Sequence, residues 1–245
     1  LDCFNVTLPH KSAILPFLDE VEEKARRFGS VNTVQVKDGK LTGYTTDGPG
    51  CRKALENHGV PLSGEVLLLG NGGAARAIAF EAAQQRAGSQ LTVACREGSL
   101  PKAQALVEDL ARYAADLGDN HFAARVVTYA QLEQEQRRYQ LALNATSVGM
   151  LPHAGVSPVP QEVVARCGAV FDAVYNPGET ELLRLAKQAG AVVVGGMEML
   201  VYQAVAAHEI WYGGQFSPQD LADLCADAQE ELSRLFPENA KKEEA

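Results

Sequence analysis

One stretch constrains this chain more than any other: Glu65–Ala83, reading EVLLLGNGGAARAIAFEAA. Val66–Leu69 is a short apolar run of the length of a buried strand. Gly70-Asn71-Gly72-Gly73 follows as a glycine-dense turn, and alanine-rich Ala74–Ala83 reads as a helix. Strand, glycine turn and helix in that order make a dinucleotide fingerprint, here spaced G-x-G-G-x-A with Ala75 in the last slot. Glycines let the backbone turn tightly and approach a pyrophosphate, and a helix N-terminus offers free N–H groups and positive dipole to it. Gly70, Asn71, Gly72, Gly73, Ala74 and Ala75 are therefore candidate cofactor-binding residues. The competing reading is a plain helix-capping turn in an α/β core.

The residues that follow continue the alternation. Strands are expected at 66–69, 91–95, 125–128, 140–144, 169–174 and 191–194, with helices at 73–87, 101–117 and 179–189. Runs such as AVFDAV and AVVVGG are nearly all apolar, as strands covered on both faces should be. The pattern predicts a Rossmann-like, doubly wound NAD(P)-binding α/β domain. In such a sheet, ligands sit at the carboxyl ends of the strands. That points to Asn144–Met150 with Thr146 and Ser147, to Asp172–Pro177, and to Gly195-Gly196-Met197. The second strand ends in Arg96-Glu97. An acid there suits the ribose hydroxyl of NAD and an Arg the 2′-phosphate of NADP. Arg96 favours NADP, because a guanidinium both stacks and pairs with phosphate; Glu97 keeps NAD open.

Before the fingerprint, Phe4, Val6 and Leu8 alternate with polar residues as in a strand, and Pro9 stops it. Lys11 is then expected to open a helix running to about Phe28; on its own, a lysine there is most simply solvated. Asp38-Gly39 predicts a hairpin turn. Asp47 reads as the N-cap of a helix carrying Cys51–Asn57, and Pro61–Gly64 as a crossover between domains. Near the end, helices are expected over Glu198–Trp211, with Gln203 inside, and Pro218–Leu235; the charged tail PENAKKEEA is expected to be disordered.

A net charge of −9 argues against a nucleic-acid partner, and no apolar run approaches a membrane span. The cysteines, Cys3, Cys51, Cys95, Cys167 and Cys225, are scattered without a CxxC pair, so neither a disulfide framework nor a metal site is expected and a reducing cytoplasm fits. The chain opens Leu-Asp-Cys-Phe, without Met and directly on a motif-like stretch, which suggests that further residues precede it.

Several motifs then converge. Asn5–Lys11 (NVTLPHK), Gly29–Thr33 (GSVNT), Thr46-Asp47-Gly48, Gly70–Arg76, Asn144-Ala145-Thr146, Asp172…Tyr175-Asn176-Pro177 and Gly196…Leu200…Gln203 together resemble the shikimate dehydrogenase family, in its order and spacing over residues 1 to about 235. The resemblance implies NADP-dependent, reversible reduction of 3-dehydroshikimate to shikimate in aromatic biosynthesis. It also implies a second α/β domain for substrate, built from residues 1–50, with its N-terminal part missing from this sequence, and completed by the helices of 197–245, beside a Rossmann-type domain over 51–196. It makes Lys11 and Asp47 the catalytic pair, and Asn5, Thr7, Asn32, Asp47, Tyr175 and Gln203 the substrate contacts. Arg96, Thr146, Ser147, Gly196 and Met197 join the glycine turn around the cofactor, with acidic Glu23 also near it. A small-molecule substrate follows as the partner, and a homodimer is compatible.

The chemistry agrees. Hydride addition to a ketone builds charge on oxygen, so a positioned acid must supply a proton. An ammonium can do so, and Lys11 with Asp47 would titrate as a coupled pair. Two departures stand out: Thr45 replaces the family's usual Asn, and Cys95 replaces the Asn before Arg96. The amino-terminal serine segment that holds the substrate carboxylate in the family is absent from this sequence. Two alternatives are a quinate/shikimate dehydrogenase using NAD and a catalytically silent ligand-binding regulator on the same fold.

Overall fold

A computed structural model describes residues 1–236; the charged tail lies outside the described residues. The first part of the chain supplies β1 (Cys3–Asn5), β2 (Glu20–Val21), α1 (Glu23–Phe28), β3 (Thr33–Lys37) and β4 (Lys40–Tyr44), in one sheet of order β1-β3-β4-β2. The hairpin stands where Asp38-Gly39 predicts it, with φ of 52° and 77° at the two turn residues.

Two expectations fail here. The strand ends at Asn5, and Thr7 to His10 form a turn closed by His10 N–H donating to the Thr7 carbonyl at 2.8 Å. Leu8, which completed the alternation, is exposed. The helix expected from Lys11 to Phe28 is instead a 3-10 turn at Leu15–Phe17, then β2, then α1. Pro16 limits the turn, and Asp19 draws the chain onto β4 by accepting the Leu41 N–H at 2.8 Å. The Glu22 carboxylate then accepts the Ala25 N–H at 3.0 Å and starts the helix.

The chain next enters α2 (Asp47–Asn57), so the boundary expected between residues 50 and 51 falls inside a helix. Thr46, not Asp47, stands at the N-cap, because the Asp47 carboxylate is engaged elsewhere. The large sheet follows: β5 (Glu65–Leu69), α3 (Gly73–Gln84), β6 (Gln90–Cys95), α4 (Leu100–Asp116), β7 (Ala123–Thr128), α5 (Tyr129–Gln134), β8 (Tyr139–Asn144), α6 (Gln161–Val164), β9 (Cys167–Asp172), α7 (Glu181–Gln188) and β10 (Val192–Val194). Its order is β10-β9-β8-β5-β6-β7, all parallel, as expected for a doubly wound sheet. The order reverses between β5 and β8, beside the glycine turn. Alternate residues of β5 feed two cores: Val66 and Leu68 pack on one face of the sheet, Leu67 and Leu69 on the other. From Val66 to Leu69, β5 therefore has to be apolar at every position.

The short helices α5 and α6 were not anticipated. The first carries a signal in sequence, a capping box in which Thr128 and Gln131 exchange side chain-to-backbone hydrogen bonds.

Two further helices, α8 (Gly196–Tyr212) and α9 (Pro218–Leu235), finish the described chain. The first returns to the small sheet, where Trp211 Nε1 donates to the Val34 carbonyl at 3.1 Å. On the opposite side, Phe28 of α1 stacks on Phe80 of α3 with centroids 4.9 Å apart. Buried Glu81 of α3 pairs with Lys24 of α1 at 2.7 Å and with Arg52 of α2 at 2.9 Å. These contacts seat the start of α2 against α3: a Cβ at Gly48 would lie 2.8 Å from the Ala77 carbonyl oxygen. No helix among the described residues is long and apolar enough to cross a membrane.

Candidate active site

The glycine turn is shaped by its neighbours. Gly70 has φ +103°, and a Cβ there would lie 2.7 Å from Thr146 Cγ2. That combination of backbone and crowding admits glycine alone. Gly72 is different: a Cβ there would meet nothing within 4 Å, so the backbone faces open space at the N-terminus of α3. A Cβ at Gly73 would lie 3.2 Å from Lys11 Cβ. The stem of Lys11 thus runs alongside the turn.

A cavity of about 490 Å³ opens over the turn. Of the expected cofactor residues, Gly70, Asn71, Gly72, Ala74, Arg96, Thr146 and Ser147 line it, and so does Tyr175. Asn71 is held by donating from Nδ2 to the Ser99 carbonyl at 3.1 Å. Ala75 instead lies wholly in the core. Gly196 and Met197 open α8, where a Cβ at Gly196 would lie 2.5 Å from the carbonyl oxygen of Ala173, itself a lining residue. Of the adjacent pair at the end of β6, Arg96 lines the cavity while Glu97 sits in the exposed turn that follows. Glu23 does not approach; it is exposed and pairs with Arg27 at 2.8 Å.

Residues not singled out from sequence also contribute, notably Tyr129 at the start of α5, beside Cys95. Burial pushes the Tyr129 phenol and the Cys95 thiol up, so both stay neutral near pH 7.

Next to the turn stands an ion pair. Lys11 Nζ donates to both carboxylate oxygens of Asp47, at 2.9 and 2.7 Å. The Lys11 side chain is 16% exposed and that of Asp47 1%. Asn32 is the hub beneath them. Its Nδ2 shares two hydrogens among Thr46 Oγ1 at 2.8 Å, Asp47 Oδ1 at 3.1 Å and Gln203 Oε1 at 3.1 Å. Its Oδ1 accepts from Thr46 N at 2.8 Å and from Thr33 Oγ1 at 3.2 Å.

So Lys11, Asn32, Asp47 and Gln203, scattered over the sequence, converge on one point. Asn5 is tied to them through its Nδ2, which donates to the Asn32 carbonyl at 3.2 Å and Thr33 Oγ1 at 3.4 Å. Thr7 is exposed in its turn. Thr45, the departure noted above, has a buried hydroxyl without a hydrogen-bond partner among the described residues.

Chemically, the arrangement offers a charged proton donor, a carboxylate that aims it, amide and hydroxyl groups around both, and a neighbouring cavity on a glycine turn. A cavity backed by a helix N-terminus and walled by an Arg suits a phosphate-bearing dinucleotide.

Comparison with known proteins agrees. Residues 1–34 match the family model described as the shikimate dehydrogenase substrate binding domain. Shikimate dehydrogenase (NADP(+)) of Geobacillus kaustophilus is 42% identical over 211 residues, covering 85% of this chain and 72% of that protein. Among solved structures, shikimate 5-dehydrogenase of Thermus thermophilus in complex with NADP(H) and shikimate is 36% identical with a TM-score of 0.76, covering 93% of this chain and 79% of that one. A ligand-free 5-ketofructose reductase of Gluconobacter is 33% identical with a TM-score of 0.71, covering 92% and 78%. Shared site motifs, strand order and identity over most of the chain agree: this protein belongs to the shikimate dehydrogenase family.

Proposed function

We propose that this chain is an NADP-dependent shikimate dehydrogenase, reversibly reducing 3-dehydroshikimate to shikimate in aromatic biosynthesis. The observation that carries the reading is the Lys11–Asp47 pair, held at 2.7 Å with the lysine stem against the glycine turn. When bound, the nicotinamide supplies the hydride for ketone reduction and takes it back in alcohol oxidation. Lys11 gives a proton to the carbonyl oxygen as charge develops there, and as a neutral amine accepts it in reverse. Asp47 accepts from the amine through both carboxylate oxygens and aims it. Asn32 fixes that carboxylate and, with Gln203, offers the donors and acceptors that a polyhydroxylated ring requires; Asn5, Thr7 and Tyr175 complete that set. The glycine turn and α3 N-terminus would hold the pyrophosphate, Arg96 the 2′-phosphate, and Thr146, Ser147, Gly196 and Met197 the rest of the cofactor.

On this reading, residues 1–50 with α8 and α9 serve the substrate and 51–196 the cofactor. A cytoplasmic setting belongs to the same reading and rests on the unpaired thiols. A second reading, reduction of a different polyhydroxylated ketone, is favoured by the likeness to the Gluconobacter reductase. The test follows absorbance of the reduced cofactor with shikimate, quinate or 5-ketofructose and either NADP or NAD. Turnover of shikimate with NADP(H) supports the first reading; turnover of 5-ketofructose alone supports the second.

A further inference from the structure

The loops that wall the cavity are tied together from below. Strands β8 and β9 end side by side, with Asn144 in register with Asp172. Asp172 is wholly buried. Its Oδ1 accepts Asn144 Nδ2 at 2.8 Å and the Val174 N–H at 3.0 Å, and its Oδ2 accepts Thr180 Oγ1 at 2.6 Å. Asn144 passes the constraint on: its Oδ1 accepts both the N–H and the hydroxyl of Thr146, at 3.1 and 2.7 Å. Thr146 then accepts the Val148 N–H at 3.2 Å, and its methyl abuts Gly70. Thr180 caps α7 through the Leu183 N–H at 3.3 Å. One carboxylate thereby fixes the 144–148 loop, the 173–175 loop and the start of α7.

We propose that Asp172 is a positioning residue for the cofactor: it touches no ligand itself, and holds Thr146 and Ala173–Tyr175 where the dinucleotide must lie. The inference rests on reading the cavity as the NADPH site. Three donors aimed at one carboxylate are satisfied together only while it is ionised. A proton on Oδ1 would face two N–H donors, and a proton on Oδ2 would force the Thr180 hydroxyl to turn from donor to acceptor.

Among the described residues, no charged side chain pairs with that carboxylate. The partners are an amide, a hydroxyl and a backbone N–H. On α7, Glu181 pairs with Arg184 at 2.6 Å, and Lys187 pairs with Glu179 ahead of the helix. β10 carries only valines, and the titratable residue of β8, Tyr139, is at its far end. Burial accordingly pushes the Asp172 carboxyl up to about 6, against the pull of Thr180, Val174 and Asn144. The clamp should therefore loosen as pH falls through that value.

The test is direct binding, by fluorescence titration of the whole protein with NADPH and, in parallel, NADH. NADH lacks the 2′-phosphate, whose own titration near pH 6 would otherwise confuse the profile. For the native chain, the NADH Kd should rise about fivefold from about pH 7.5 to about pH 5, and Asp172→Asn should raise it about tenfold at the higher pH and flatten the profile. Shikimate affinity should fall less than NADH affinity in the variant, because of the proposed substrate contacts only Tyr175 lies in a loop that Asp172 holds. Should Asp172→Asn not fold, Thr180→Ala removes one donor and should weaken NADPH about threefold, with Thr180→Ser restoring it. Variant affinities equal to the native, or an identical pH profile in Asp172→Asn, would overturn the proposal. A native chain that binds neither cofactor at about pH 7.5 would bring down the cofactor reading itself.

Discussion

Asp47 and Asp172 are both buried carboxylates just past the end of a strand or at it, yet their surroundings differ in kind. Asp47, following the small sheet, faces an ammonium at 2.7 Å. Asp172, ending a strand of the large sheet, faces neutral donors. Burying a carboxylate is unfavourable either way, and the partner decides what it can then do. With a mobile proton beside it, a carboxylate serves chemistry. With neutral donors around it, it serves shape.

The sharpest way to break this comparison is to remove the cation. Lys11→Met should lower kcat for shikimate oxidation by about 10²–10⁴-fold while shifting KM little, since it removes the proton carrier and leaves the binding groups. Steady-state kinetics decides it: a raised KM at native turnover would make the pair a binding device. Asp47→Asn keeps the size and one acceptor for Asn32 but removes the charge that aims Lys11. It should lower kcat about 10²-fold, again with the larger effect on turnover than on KM.

The large sheet should respond in binding instead. Arg96→Gln should raise the KM for NADPH about tenfold and leave that for NADH nearly unchanged, because only the former carries a 2′-phosphate for a guanidinium to pair with. The companion Glu97→Gln, outside the cavity, should change either value less than about twofold.

How much of this could be read from the chain follows the same division. The parallel sheet was legible because β5 feeds a core on each face and must be apolar from Val66 to Leu69, and because Gly70 and Gly72 stand where a turn needs them. The small sheet was not. The alternation Phe4, Val6, Leu8 extends past the point where the strand ends, and the helical pattern after Lys11 runs over Pro16 and an edge strand. Local periodicity there is overridden by pairing with β4, a contact between residues distant in sequence. In the candidate site, the family resemblance alone singles out Lys11, Asn32, Asp47 and Gln203, since side chains that meet across such separations leave no local spacing. Tyr129 was missed with its short helix, although Thr128 and Gln131 carried a capping signal. The clamp at Asp172 was missed because nothing in DAVYNP says that Thr180 and Asn144 point back at the acid.

A further expected effect bears on stability, and its sign separates a clamp from a simple buttress. The folded carboxyl of Asp172 titrates near 6, above its ordinary value of 3.8. Between those values the folded chain binds more protons than the unfolded one, so the group's contribution to stability is full at low pH and is lost as pH rises through about 6. From about pH 5 to about pH 7, the native chain should lose about 1 kcal/mol relative to Asp172→Asn, which has nothing to titrate there, as read from paired urea denaturations. Cofactor affinity should move the other way, rising over the same interval as the carboxylate ionises and the loops lock. A residue kept only for packing would show both quantities moving together, because a less stable scaffold would also bind less well. Opposite slopes would mean that the molecule accepts a strained, ionised acid near neutrality in exchange for a preorganised cavity.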